Sequence, residues 1–256
     1  MTTYQHDRVL PYDDSGLSKT QQVASMFDDI AGRYDFLNRF LSGGTDLWWR
    51  KKAISQLRDS GAIGAPVIGQ GSGQILDVAT GTGDMALMTY KRLHPEKVTG
   101  IDISEGMLEL GRLKVNQQKL SAQIELKLGD SQAIPFADNS FDAVTVSFGV
   151  RNFEHLEKGL EEIKRVLKPG GKLVVLEFSR PKGAFGHLYQ WYMGRVTPFI
   201  CTLLSSNKKA YTYLGKSIQA FPEGADFIAV LQKTGYRQPS AKALTMGICS
   251  IYTGMK

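Results

Sequence analysis

Only two cysteines occur among 256 residues, Cys201 and Cys249, far apart and outside any CxxC pair, and histidines number four. No disulfide framework or zinc site follows from so few, and a reducing compartment such as the cytoplasm fits. No apolar run approaches the ~20 residues that a membrane-spanning helix needs. The opening residues, MTTYQHDRVLPYDD, lack the basic start and apolar stretch of an export signal, so the expectation is a protein neither exported nor integral to a membrane. Internal repeats and low-complexity segments are missing as well. Acidic residues are absent between Glu177 and Glu223.

What is present suits one elaborated domain over 1–256. Hydrophobic residues make up 42%, ordinary for a globular chain of this length. A net charge of +6 and a pI near 9.2 admit an anionic partner, whether phosphate, nucleic acid or lipid headgroups. Residues 1–20 are polar and aperiodic and read as a loose tail. Over 21–64 the pattern is a helical cap: Val23, Met26, Phe27, Ile30, Tyr34, Leu37 and Leu41 recur at helical spacing, punctuated by Gly32 and by Ser42, Gly43 and Gly44. A second helix is expected over 46–57. The stretch GAIGAPVIGQGSG reads as a flexible connector.

From about residue 65 to 180 strand and helix patterns alternate. The strand candidates are QILDVAT, KVTGIDIS, AQIELKLGD, FDAVTVSFG and GKLVVLEF, with helices expected after the first, second and fourth. The helix over 154–167 carries Leu156, Leu160, Ile163 and Leu167 on one face and stops at Lys168, Pro169 and Gly170. This alternation implies βαβ units on a mostly parallel sheet. Residues 181–222 form a basic and aromatic insertion, and 223–256 supply a helix, DFIAVLQKTGY, and two strands.

The strand QILDVAT runs straight into Gly81, Thr82, Gly83 and Asp84 and then a helix. Glycines there let a ligand approach main-chain N–H groups at a helix N-terminus. Asp102, with Ile103 beside it, ends the second strand about 20 residues on, where a carboxylate can accept both hydroxyls of a ribose. A dinucleotide and S-adenosylmethionine both match that much. Asp77, before the turn, would repel a pyrophosphate but suits the ammonium of a methionine moiety. Asp130 and Ser131 end the third strand, where they can receive the exocyclic amine of an adenine.

The segments MFDDIAGRYDFLN, LDVATGTGD, PFADNSFDAVTVSFGVRNF and RVLKPGGKLVVLEFSRP resemble the UbiE/MenG family, C-methyltransferases of ubiquinone and menaquinone biosynthesis. The resemblance covers 23–256, and RYDxLN and SFGxRN are its most specific motifs. It implies an α/β fold of the class I S-adenosylmethionine-dependent methyltransferases: Rossmann-like, mostly parallel, helices on both faces, an antiparallel C-terminal strand, here with an N-terminal helical cap. By resemblance Thr82, Asp102, Asp130, Ser131 and Ser147 hold S-adenosylmethionine. Thr80 stands where many relatives have glycine, leaving both glycines around Thr82 intact. The implied reaction is methylation of the ring of a polyprenylated quinol, naphthoquinol or methoxybenzoquinol.

Such a ring reacts as its phenolate and needs no metal. Arg151 and Asn152 follow the fourth strand at the ligand-binding edge of the sheet and are expected to handle the phenolate oxygen. The alternative for Arg151 is a structural pairing with a helix C-terminus or an acidic neighbour. Tyr34 and Asp35 sit on the helix expected to close over the cofactor, and the alternative there is packing and capping. His155 begins a helix and reads as a surface residue. The acid-free stretch, with Arg180, Lys182, Arg195, Lys208, Lys209 and Lys216 among Tyr189, Trp191 and Tyr192, suits a peripheral membrane surface. Nucleic acid is not expected, because the fourth strand lacks the Asn/Asp-Pro-Pro-aromatic turn that grips a flipped base. A homo-oligomer is compatible with the sequence.

Overall fold

Strand residues alternate faces, and the apolar side chains sort accordingly. The computed structural model describes residues 4–12, 16–58, 68–183, 185–186 and 208–256. Seven strands form one sheet: β1 (Gln74–Val78), β2 (Lys97–Asp102), β3 (Ile124–Leu128), β4 (Phe141–Ser147), β5 (Leu167–Phe178), β6 (Arg237–Leu244) and β7 (Cys249–Met255). Their order is β3-β2-β1-β4-β5-β7-β6. The first five run parallel, and β7 is antiparallel to both β5 and β6. On β5, Leu173 and Val175 enter one apolar cluster with Leu160, Ile163 and Phe227. Val174 and Leu176 enter the opposite one with Ile54, Met85 and Leu108.

Helices cover both faces. α1 (Lys19–Leu41) and α2 (Thr45–Arg58) precede the sheet; α3 (Asp84–Leu93), α4 (Glu105–Gln117) and α5 (Leu156–Val166) follow β1, β2 and β4. After the insertion come α6 (Lys208–Ala220) and α7 (Ala225–Lys233). A smaller apolar cluster of Val23, Met26, Ala210 and Tyr213 joins α1 to α6 at one end of the sheet. The strand order reverses between β1 and β4, which opens a crevice at their carboxyl ends.

Three local expectations change. Gly32 does not interrupt α1, which is continuous for 23 residues from its Ser18 cap. One helical glycine costs only about 1 kcal/mol, and side-chain ties along α1 offset that. The expected loose tail is packed over the described residues 4–12: Tyr4 donates to Glu157, His6 is fully buried, and Lys19 donates to the His6 and Phe153 carbonyls. Burial holds the His6 imidazole down at about 3. The helix stops as expected, at Val166, but β5 begins at once at Leu167 rather than at Gly171, turning through Gly170 (φ 77°) with a register shift between Phe141 and Ala143 on β4. The expected connector lies outside the described residues over 61–67, and its described remainder, 68–73, closes a Gly69–Ser72 bridge; most of the aromatic insertion, at 184 and 187–207, also lies outside the described residues.

Candidate active site

Two cavities adjoin at the carboxyl ends of the strands, with about 640 and 1290 Å³ of free space, mouths included. The smaller is bordered by the ends of β1 to β4. β1 leaves through Ala79 (φ 54°), and Gly81 (φ 56°) and Gly83 (φ 76°) complete a turn in the left-handed region that glycine adopts without strain. Asp102, at the end of β2, accepts from the Gly81 N–H at 2.7 Å and the Ser104 N–H at 3.0 Å. Burial raises its pKa and these amides oppose the rise. Asp130 is oriented by the Gln132 N–H at 2.9 Å. Asp102, Ile103, Asp130, Ser131, Ser147 and Gly81 all line this cavity. Ser147 Oγ is buried there without a hydrogen-bond partner, so it calls for a ligand atom. Two carboxylates, an unanswered hydroxyl and the apolar Met107 and Phe153 fit an adenosyl group.

Three expected cofactor contacts lie elsewhere. Asp77 is sealed beneath the loop, its oxygens accepting from Thr145 and Thr80 at 2.6 Å each. Burial pushes its pKa up to about 6, against the pull of those hydroxyls. Asp77 is 1% exposed and does not line the cavity. Thr82 and Gly83 also lie off the cavity wall. The Thr82 hydroxyl donates to Asp35 at 2.6 Å and accepts from Lys114 at 2.9 Å. Lys114 contacts Asp35 and Asp84, Asp84 pairs with Arg39, and Arg39 pairs with Asp46. Asp35 thus ties α1 to the glycine turn and faces neither cavity.

The larger cavity is walled by α1, α2, α6 and the ends of β4 and β5. Phe148 and Phe178 meet there with ring centroids 4.5 Å apart and planes tilted by 31°. Arg151 lines it but is 4% exposed, donating from Nη1 to Glu177 Oε1 and to the Phe148 carbonyl, each at 2.6 Å. The structural alternative for Arg151 is therefore met: its charge is matched by fully buried Glu177. Its Nε remains buried without a partner. Asn152 lines both cavities, and its Oδ1 accepts from the Tyr213 hydroxyl at 3.1 Å, which leaves the amide N–H groups for a ligand. Burial raises the Tyr213 pKa strongly. Phe27, Tyr34, Phe148 and Asn152 belong to both linings and form the partition.

The sequence profile of the ubiE/COQ5 methyltransferase family matches residues 16–256. The chain belongs to the ubiE/COQ5 methyltransferase family. It is 45% identical over 254 residues to a demethylmenaquinone methyltransferase of Bacteroides fragilis, covering 99% of each chain. To the ubiquinone/menaquinone biosynthesis C-methyltransferase UbiE of Geobacter sulfurreducens it is 43% identical, covering 93% of this chain and 90% of that one. Its fold is similar to that of a putative methyltransferase solved with the Haloferax volcanii Trm112 activator (TM-score 0.62, 17% identity, 90% and 96% covered). It is also similar to that of an Aquifex aeolicus SAM-dependent methyltransferase (TM-score 0.54, 21% identity, 80% and 97% covered). The fold is that of the class I methyltransferases.

In this ubiE/COQ5 member, sequence reading overlooked Glu177, Phe148, Phe178 and Arg50. Glu177 had a signal: a carboxylate inside the apolar run LVVLEF must find a buried partner. The others had none, since they meet only through tertiary packing.

Proposed function

We propose that this chain transfers the methyl group of S-adenosylmethionine to a ring carbon of a polyprenylated quinol, converting demethylmenaquinol to menaquinol. The observation that carries this reading is the pair of cavities with one partition, the smaller setting two carboxylates and an unanswered hydroxyl among apolar side chains, the larger setting two buried arginines beside a phenyl pair. When bound, S-adenosylmethionine supplies an electrophilic methyl on a sulfonium. Asp102 accepts the ribose hydroxyls, while Asp130 and Ser131 receive the adenine amine. Ser147 gives its unanswered hydroxyl to the same ligand.

On the acceptor side, Phe148 and Phe178 support the ring, and Arg151 Nε with the Asn152 amide donates to the phenolate oxygen. Tyr34 and Asn152 in the partition fix the ring edge that meets the methyl. Transfer would replace the carbon–sulfur bond of the sulfonium by a carbon–carbon bond to the ring, leaving S-adenosylhomocysteine, and the ring hydrogen would be released as a proton to solvent. Stabilising the phenolate through preplaced donors is where the rate gain lies. The test is transfer of labelled methyl to short-chain demethylmenaquinol and to 2-methoxy-6-prenyl-1,4-benzoquinol under reducing conditions. Labelled menaquinol is expected, and labelling of neither quinol would refute the reading.

The prenyl tail also calls for a membrane surface. Among the described residues no helix is long and apolar enough to cross a membrane. Of the stretch expected to dock, Arg180 is paired with Glu223, Lys182 and Lys216 are exposed, and Tyr189, Trp191, Tyr192 and Arg195 lie outside the described residues. The side chains of Lys208 and Lys209 do too. Exposed aromatics instead cluster on α1 and α2: Phe36 and Phe40 stack on each other, and Lys52 covers Trp48. Asn38, Ser42 and Thr45, between them in sequence, line the larger cavity. We propose that this end meets an anionic bilayer surface. Sedimentation with anionic liposomes is expected to be reduced by Lys51→Glu with Lys52→Glu, and equal sedimentation of variant and wild type would refute it.

A further inference from the structure

Arg50 of α2 is 6% exposed and lines the larger cavity. Its guanidinium carbon lies 5.3 Å from the centroid of the Phe148 ring. Its Nε is buried without a hydrogen-bond partner. Asp46, one turn earlier, stands 3.8 Å from that nitrogen, and the same carboxylate oxygen is engaged closely by Arg39. Arg50 is thus the more loosely held of two arginines in one cavity. The other, Arg151, lies 5.4 Å over Phe178, also with an unanswered Nε.

A buried N–H of a cation is costly to leave unmade, and neither guanidinium can lose its charge. The two tilted phenyls offer apolar surface to an aromatic ring, and a guanidinium lies 5.3 Å from the centroid of one and 5.4 Å from that of the other. Oxygens projecting in the plane of a seated ring are what planar guanidinium donors pair with. A ring with a single hydroxyl answers one arginine. A ring with two separated hydroxyls answers both.

We propose that Arg50 binds the second ring oxygen of the acceptor, and that with Arg151 on the first it makes the cavity selective for two-oxygen rings over single phenols. This rests on the quinol reading above and names the residue that enforces it. Because Arg50 is cationic and sheltered from water, it also favours that oxygen in its ionised form.

The test is equilibrium binding by calorimetry, without oxygen, in the presence of S-adenosylhomocysteine so that no turnover occurs. The ligands are a short-chain prenylated 1,4-dihydroxynaphthalene and the two matching compounds that each lack one hydroxyl. For the wild type, losing either hydroxyl is expected to weaken binding on the order of 10- to 100-fold, the range of a charge-assisted hydrogen bond. Arg50→Met is expected to weaken the diol and one single phenol by a similar factor, and to change the other phenol by less than about threefold. Arg50→Lys, which keeps the charge but lacks Nε, should fall between. S-adenosylhomocysteine affinity stays within about twofold throughout.

Equal weakening of all three ligands by Arg50→Met, or an unchanged diol, would overturn the proposal. Should Arg50→Met fail to fold in a melting experiment, Arg50→Lys and the wild-type ligand preferences decide, and a wild type that binds the diol no tighter than both phenols also overturns it. Binding of none of the three would instead bring down the quinol reading itself.

Discussion

Asp102 and Arg151 serve neighbouring cavities and are held in opposite ways. Asp102 takes main-chain amides of Gly81 and Ser104, neutral dipoles fixed by the turns that carry them. Arg151 takes a full opposite charge, Glu177, from the adjacent strand. The first arrangement keeps its geometry whether or not the carboxylate is ionised. The second depends on both partners, because either charge alone would be stranded in the core. The donor cavity is accordingly robust to change, while the acceptor cavity has its stability invested in its site.

Glu177→Ala should break that comparison most severely. It strands Arg151 and is expected to destabilise the fold by about 3–5 kcal/mol in urea unfolding, with Glu177→Gln costing less. Next comes Asp77, whose carboxyl is held up at about 6 by burial. The folded state keeps this proton longer than the unfolded chain, so stability should fall as pH rises from about 4 to about 6 and then level off. The drop amounts to about 3 kcal/mol from this group, and Asp77→Asn should flatten that part of a stability–pH profile.

A smaller effect is expected from Asp102→Ala, which should weaken S-adenosylmethionine binding on the order of 10- to 100-fold by calorimetry while sparing the acceptor. Unchanged affinity would mean that the amide-held carboxylate never meets the ribose. The smallest concerns Asp28, an exposed residue of α1 that accepts from the Ser104 hydroxyl at 2.6 Å and the Gly106 N–H at 2.9 Å. Asp28→Ala should cost less than about 1 kcal/mol in stability, yet speed cofactor dissociation in stopped-flow measurements by loosening α1 over the cavity.

The same contrast governs what could be read from the sequence. Residues 74–102 carry strand, glycine turn, helix and second carboxylate in one short stretch, so the place of Gly81 and Asp102 followed from periodicity and spacing alone. Asp77 misled because an acid before a glycine turn looks the same whether it faces a ligand or two threonines, and Thr80 supplies one of those hydroxyls locally. Thr82 was read as a cofactor contact and Asp35 as a catalytic residue or a cap, yet the two bond to each other across the join of α1 and the turn. In the acceptor cavity, Arg50 and Phe148 stand nearly 100 positions apart, and Tyr213 reaches Asn152 across 61. No local pattern encodes such meetings. Arg151 was visible from its place after β4, but its pairing required knowing that β5 lies beside β4.

Phe27 and Tyr34 of α1 stand in the partition and so border both cavities. Anything that shifts that helix therefore alters the walls of two chambers at once. A substitution at either residue should be felt by both ligands rather than by one.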